Sequence, residues 1–171
     1  MLIYEDKAVN DFIKLAVSKH STIVARTAFS YLKNVSDAED ISQEVFLALL
    51  QKQPNFESEE HLKAWLIRVA INKCKNYLKS SWFKNKCELV EDLPYMPKEE
   101  SDVLDAVLGL KTKYRIPIHL YYYEGYSIKE ISEILEEPTA TVGTRLARGR
   151  KQLKKIIGGD ICEEKCIQIS R

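Results

Sequence analysis

The sequence predicts an all-α protein of two small helical domains joined by an acidic linker, and three observations carry that expectation. Apolar residues recur at helical spacing along most of the chain, and strand-length β-branched alternation is absent. Glycine is sparse before residue 109. The charge changes sign once: between His61 and Cys87 there are Lys63, Arg68, Lys73, Lys75, Lys79, Lys84 and Lys86 but no acid. From Glu88 to Asp105 seven acids face the single Lys98, with Pro94 and Pro97 among them. The division expected is a helical domain over 1–86, a linker over 87–103, a second helical domain over 104–157 and a tail over 158–171. That tail opens at a helix stop, Gly158-Gly159.

The first patterned element is "SDAEDISQEVFLALL", with a capping box expected at Ser36 and Glu39. Projected at about 100° per residue, Ala38, Ile41, Val45, Ala48 and Leu49 face inward. Asp40, Gln43, Glu44 and Leu47 face outward. An acidic face with an exposed leucine repels DNA and suits docking on a basic, partly apolar protein surface, although a merely solvated face would read the same way.

After the loop "PNFESEE", the stretch "HLKAWLIRVAINKCKNYLKSSW" turns Leu66, Ile67, Ala70, Ile71, Cys74, Tyr77 and Leu78 to one side. Trp65, Arg68, Asn72, Lys75, Asn76 and Lys79 lie opposite. Aromatic rings stack on splayed bases, amides read base edges and cations hold the backbone, so this face fits single-stranded nucleic acid. Trp65 also lies close in angle to Leu62 and Val69, where it would plug the core. Phe56 in the loop either covers a flipped base or acts as a hydrophobic staple.

The last patterned stretch is "SIKEISEILEEPTATVGTRLARGRKQLKK". Ser127 and Glu130 form a capping box, and Ile128, Ile131, Ile134 and Leu135 make one apolar stripe. Pro138 ends that helix and suits the first position of the next, which gives a helix-turn-helix. On the second helix Val142, Leu146, Gly149, Leu153, Ile156 and Ile157 are expected on the core side. Gly143, Thr144, Ala147, Arg148, Lys151, Lys154 and Lys155 lie opposite, flanked by Arg145 and Arg150. A basic face of this kind meets phosphates and base edges, and Gly143 with Ala147 leaves it low enough for close backbone approach.

Composition bounds the function. With 171 residues, 45% of them hydrophobic, the chain buries one modest core or two small ones, and a net charge of +1 leaves polyanion binding to local patches. No apolar run reaches the ~18 residues of a membrane span, and "MLIYEDKAVNDF" lacks a basic leader, so no membrane insertion and a cytoplasmic location are expected. Cys74 falls on an apolar helix face as a buried thiol, and Cys87 is isolated. Cys162 and Cys166 have helical spacing, but His20, His61 and His119 are scattered, so neither metal nor cofactor is expected. No phosphate-cradling loop, nucleophile elbow or paired histidine and carboxylate points to an enzyme.

Together, "DAEDISQEVFLALL", "FESEEHLKAWLIRVAINKCKNYLK" and "YYYEGYSIKEISEILEEPTATVGTRLARGRKQLKK" resemble bacterial RNA polymerase sigma factors of the compact extracytoplasmic-function branch. The resemblance covers about residues 8 to 157. It implies that Asp40, Gln43, Glu44 and Leu47 dock on the clamp helices of the largest subunit of core RNA polymerase. It implies that Asn55 and Phe56 capture a flipped base of the minus-ten element, and that Trp65, Arg68, Asn72 and Lys73, with Lys75 on the same helix, read and melt that element. Thr141, Thr144, Arg145, Arg148 and Lys151 match the helix that reads the minus-thirty-five element of promoter DNA. An anti-sigma factor is the further partner implied. Many relatives carry a basic residue where Gly143 stands and a bulkier one at Ala147; Thr144 and Ala147 instead offer methyl groups to thymine. A stand-alone helix-turn-helix regulator is the alternative reading, although no heptad seam for a dimer is visible. A metal or redox sensor built on Cys162 and Cys166 is a third.

Overall fold

The computed structural model describes the backbone of residues 2–80 and 101–157, and side chains over 9–80 and 103–157. These residues are all helix, turn and loop, and they form two compact units. Most of the expected linker, Cys87 and the tail with Cys162 and Cys166 lie outside the described residues.

The first unit is a three-helix packing of α1 (Leu2–Leu32), α2 (Val35–Lys52) and α3 (Glu59–Lys79). Its core repeats at helical spacing on each member. Ala16, Val24, Ala28 and Leu32 come from α1, Ala38, Ile41, Val45 and Leu49 from α2, and Leu62, Leu66, Ala70 and Cys74 from α3, all buried. Thr27 is buried too, and its hydroxyl donates to the Ile23 carbonyl at 2.8 Å, so no polar group is stranded there. Lys33, with φ 57°, turns the chain between α1 and α2.

The capping box expected at Ser36 and Glu39 does not form. The helix begins earlier, at Val35, and Asn34 is its cap: the Asn34 Oδ1 accepts the Asp37 N–H at 2.9 Å. An extended asparagine two residues upstream satisfies the first-turn donors, which leaves Ser36 inside the helix. Ser58 caps α3 in the same way, accepting from the His61 N–H at 3.1 Å.

The second unit contains α4 (Ser101–Gly109), α5 (Thr112–Ile118), a π-helical turn (His119–Tyr123), α6 (Ile128–Leu135) and α7 (Thr139–Ile157). Arg115, only 3% exposed, donates to the carbonyls of Leu108 and Leu110 at 3.0 and 2.7 Å. The buried charge thus closes the C-terminal end of α4, where unpaired carbonyls would otherwise be stranded. Pro117 supplies no N–H to α5, and the backbone register then widens into the π turn.

The Ser127–Glu130 capping box is present in both directions, at 3.3 and 2.8 Å. α6 stops at Glu136, a left-handed residue with φ 56°, and α7 starts after Pro138, whose carbonyl accepts from Thr141 and Val142. Pro138 therefore stands just ahead of the first helical residue rather than in it. Val142, Leu146, Gly149 and Leu153 are buried. Ile156, expected on the core side, is 58% exposed, whereas Ile157 beside it is half-buried.

Candidate nucleic-acid and protein interfaces

On α2 the exposed face carries Asp40, Gln43, Glu44 and Leu47, and Leu47 is 53% exposed. Their inward neighbours Ala38, Ile41, Val45 and Leu49 are anchored in the core, so this acidic ridge is presented by a fixed helix.

The adjacent face of α3 presents Asn72, Asn76 and Lys79 to solvent, while Trp65, Arg68, Lys73 and Lys75 are half-buried. Trp65 meets Phe56 edge-to-face at 5.7 Å between ring centroids. Phe56 is also 5.6 Å from the His61 ring and 6.4 Å from Phe12, so the loop is stapled across α1 and α3 by an aromatic cluster. Asn55, beside it, is exposed.

The structure adds a contact that face-by-face projection misses. The Lys73 Nζ lies 2.7 Å from the Glu44 Oε2, joining the two faces expected to serve different partners. Projection treats each helix alone and so cannot register a pair made between two helices. Likewise, two of the histidines scattered along the sequence have carboxylates beside them: His20 Nε2 is 3.8 Å from Glu59, and His119 Nε2 is 3.6 Å from Glu124. Both are buried. Burial lowers the His20 pKa, and Glu59 only partly opposes it. Cys74 is likewise buried, and burial pushes its thiol up to about 12, so it is an inert packing group at neutral pH.

On α7, Thr144, Ala147, Arg148 and Lys151 are exposed, and Thr141 and Arg145 are half-buried. The Thr144 hydroxyl donates back to the Ala140 carbonyl at 2.8 Å, which leaves its methyl as the free group. A Cβ at Gly143 would meet nothing within 4 Å, so this part of the face is open. Arg148 reaches the Tyr114 hydroxyl. Burial acts to raise that phenol, but Lys113 and Arg148 outweigh it and draw its pKa down. Arg145 differs from its neighbours: its Nη1 lies 2.6 Å from the Glu137 Oε2.

An acidic ridge thus lies beside an aromatic, amide and cationic face, and a basic helix-turn-helix follows along the chain. The Sigma-70 region 2 family matches residues 16–84, and the Sigma-70, region 4 family matches residues 101–153. The ECF RNA polymerase sigma factor SigW of Bacillus subtilis is 31% identical over 152 residues, spanning 77% of this chain and 81% of that protein. The chain belongs to the ECF RNA polymerase sigma factors. The RNA polymerase sigma factor SigV of the same organism is 29% identical over 146 residues, covering 81% of this chain and 86% of that one. Among solved structures, the sigma factor RpoE in complex with the anti-sigma factor NepR, from Bartonella quintana, matches 88% of this chain and 98% of its own. Its TM-score is 0.72 at 23% identity, a likeness of fold. CnrH in complex with the cytosolic domain of CnrY matches with a TM-score of 0.63 at 23% identity. With both sigma regions in one chain, this sigma factor directs transcription initiation and is not a stand-alone regulator. Among the described residues no cluster of His, Cys, Asp and Glu could hold a metal ion, and no helix is long and apolar enough to cross a membrane.

Proposed function

We propose that this sigma factor binds core RNA polymerase through the α2 ridge of Asp40, Gln43, Glu44 and Leu47. Asn55, Phe56 and the α3 residues Trp65, Arg68, Asn72, Lys73 and Lys75 engage the melted minus-ten element. Thr141, Thr144, Arg145, Arg148 and Lys151 of α7 read the minus-thirty-five duplex. The observation that carries the reading is the separation of charge by surface. The docking ridge is acidic and carries an exposed leucine, whereas both nucleic-acid faces are cationic on rigid helices.

The domain plan follows: 1–86 for docking and melting, 87–103 as a linker, 104–157 for the upstream element and 158–171 as a tail. The protein acts in the cytoplasm as a recruiting subunit, not as an enzyme, and the catalytic centre is the polymerase's own. The structurally similar sigma factor RpoE was solved with the anti-sigma factor NepR, and CnrH with the cytosolic domain of CnrY, which supports a protein partner of that kind here.

Run-off transcription with purified core polymerase and a random promoter library tests the reading and returns the promoter sequence. Enrichment of a two-element promoter is expected. Failure to initiate on any template overturns it.

A further inference from the structure

Arg145 and Glu137 form a contact that ties a cation of the reading helix to the helix-turn-helix turn. Both side chains are about a quarter exposed, at 28% and 27%, so the pair is shielded from solvent more than an ordinary surface bridge. The Glu137 backbone is fixed from both sides. Its N–H donates to the Ser132 carbonyl at 3.0 Å, the left-handed Glu136 precedes it and Pro138 follows. The carboxylate is thus carried on a rigid turn while the arginine stem rises from α7. The Nη1–Oε2 contact engages one nitrogen of a planar guanidinium that carries five N–H donors.

We propose that Glu137 is a positioning residue for promoter reading, holding Arg145 in one orientation on the DNA-facing side of α7. The inference rests on the assignment of α7 to the minus-thirty-five element and extends it. A free arginine samples many rotamers, and part of that freedom is lost when it reads a base. Anchoring it beforehand removes that cost from binding, the general effect of preorganisation. Anchoring by a carboxylate also cancels the pair's charge. Arg145 then adds little to sequence-independent attraction, which falls to Arg148, Arg150, Lys151, Lys154 and Lys155. One residue on the turn thereby shifts an arginine from attraction toward discrimination.

The test is Glu137→Gln in the full chain, assembled with core polymerase. Two duplexes are used: one selected from the random library by the wild-type holoenzyme, and one with its upstream element scrambled. Because a negative charge is removed, binding to the scrambled duplex is expected to rise about twofold, with a salt slope steeper by about one ion. Binding to the selected duplex is expected to fall about fivefold, the range of a misaligned arginine contact. The ratio between them therefore drops about tenfold. In an Arg145→Ala background, Glu137→Gln should leave the ratio unchanged.

Equal gains on both duplexes would mean that Glu137 merely repels DNA, and equal losses that it merely supports the fold; either overturns the proposal. So does a drop in ratio that persists in the Arg145→Ala background. If Arg145→Ala alone leaves the ratio intact, the assignment of Arg145 fails, and that failure is recognisable separately.

Discussion

Arg148 stands exposed in the middle of the α7 basic face, against Tyr114 of the layer beneath. Arg148→Ala is expected to weaken binding to an upstream-element duplex by about tenfold, the scale of one lost arginine contact. Titration by fluorescence anisotropy checks it. Asn72, exposed between half-buried cations on α3, carries an amide but no charge. Asn72→Ala should therefore impair minus-ten recognition and promoter opening while leaving the salt dependence of binding nearly unchanged. Permanganate footprinting reads the opening. His20 supplies a pH dependence. Burial, with Lys63 and Lys19, holds its pKa down against Glu59, so the unfolded chain binds the proton more readily. Its contribution to stability is present above the ordinary histidine value of about 6.5 and is lost as pH falls. Thermal melting of the full chain should drop on acidification, and His20→Gln should reduce that drop. Equal pH dependence in both proteins would remove His20 as the cause.

At the scale of elements, stripes on single helices were legible. The α2 ridge, the α6 capping box and the buried set Val142, Leu146, Gly149 and Leu153 follow from spacing alone, because periodicity records which side of one helix is buried. Features that escape periodicity depend on local backbone detail or on a second element. The Asn34 cap lies upstream of the box that pattern-matching finds, the π turn follows from backbone register near Pro117, and Ile156, on the apolar stripe, is exposed. The pairs Lys73–Glu44 and Arg145–Glu137 join residues far apart in any single-helix projection. Two substitutions test the second unit. Glu136 adopts a left-handed conformation that glycine tolerates without steric cost, so Glu136→Gly should stabilise by about 1 kcal/mol, read as a raised unfolding midpoint. Gly149 packs against α5, and a Cβ there would stand 3.0 Å from Ile118 Cγ1 and 3.5 Å from Tyr114 Cβ. Gly149→Val is therefore expected to cost about 1–3 kcal/mol through overpacking, measured by chemical denaturation.

For the molecule as a whole, the proposed surfaces predict how binding of core polymerase and of promoter DNA affect each other. Asp40→Lys with Glu44→Lys should weaken association with core polymerase at least tenfold while circular dichroism stays helical, since both positions are exposed. Unchanged association would remove the α2 ridge as the docking surface. The 2.7 Å bridge between Lys73 and Glu44 adds a subtler effect. One carboxylate has two claimants, and a bridge this open to solvent contributes at most about 1 kcal/mol. Under the proposed roles, core cations that took Glu44 would release the Lys73 ammonium to the separated strand, and by reciprocity the strand's arrival would free the acid for core. Lys73→Gln should therefore tighten the grip on core by no more than about fivefold, the ratio that such an energy permits, and Glu44→Gln should abolish that gain. Commitment to a start site would then be cooperative through a single shared oxygen.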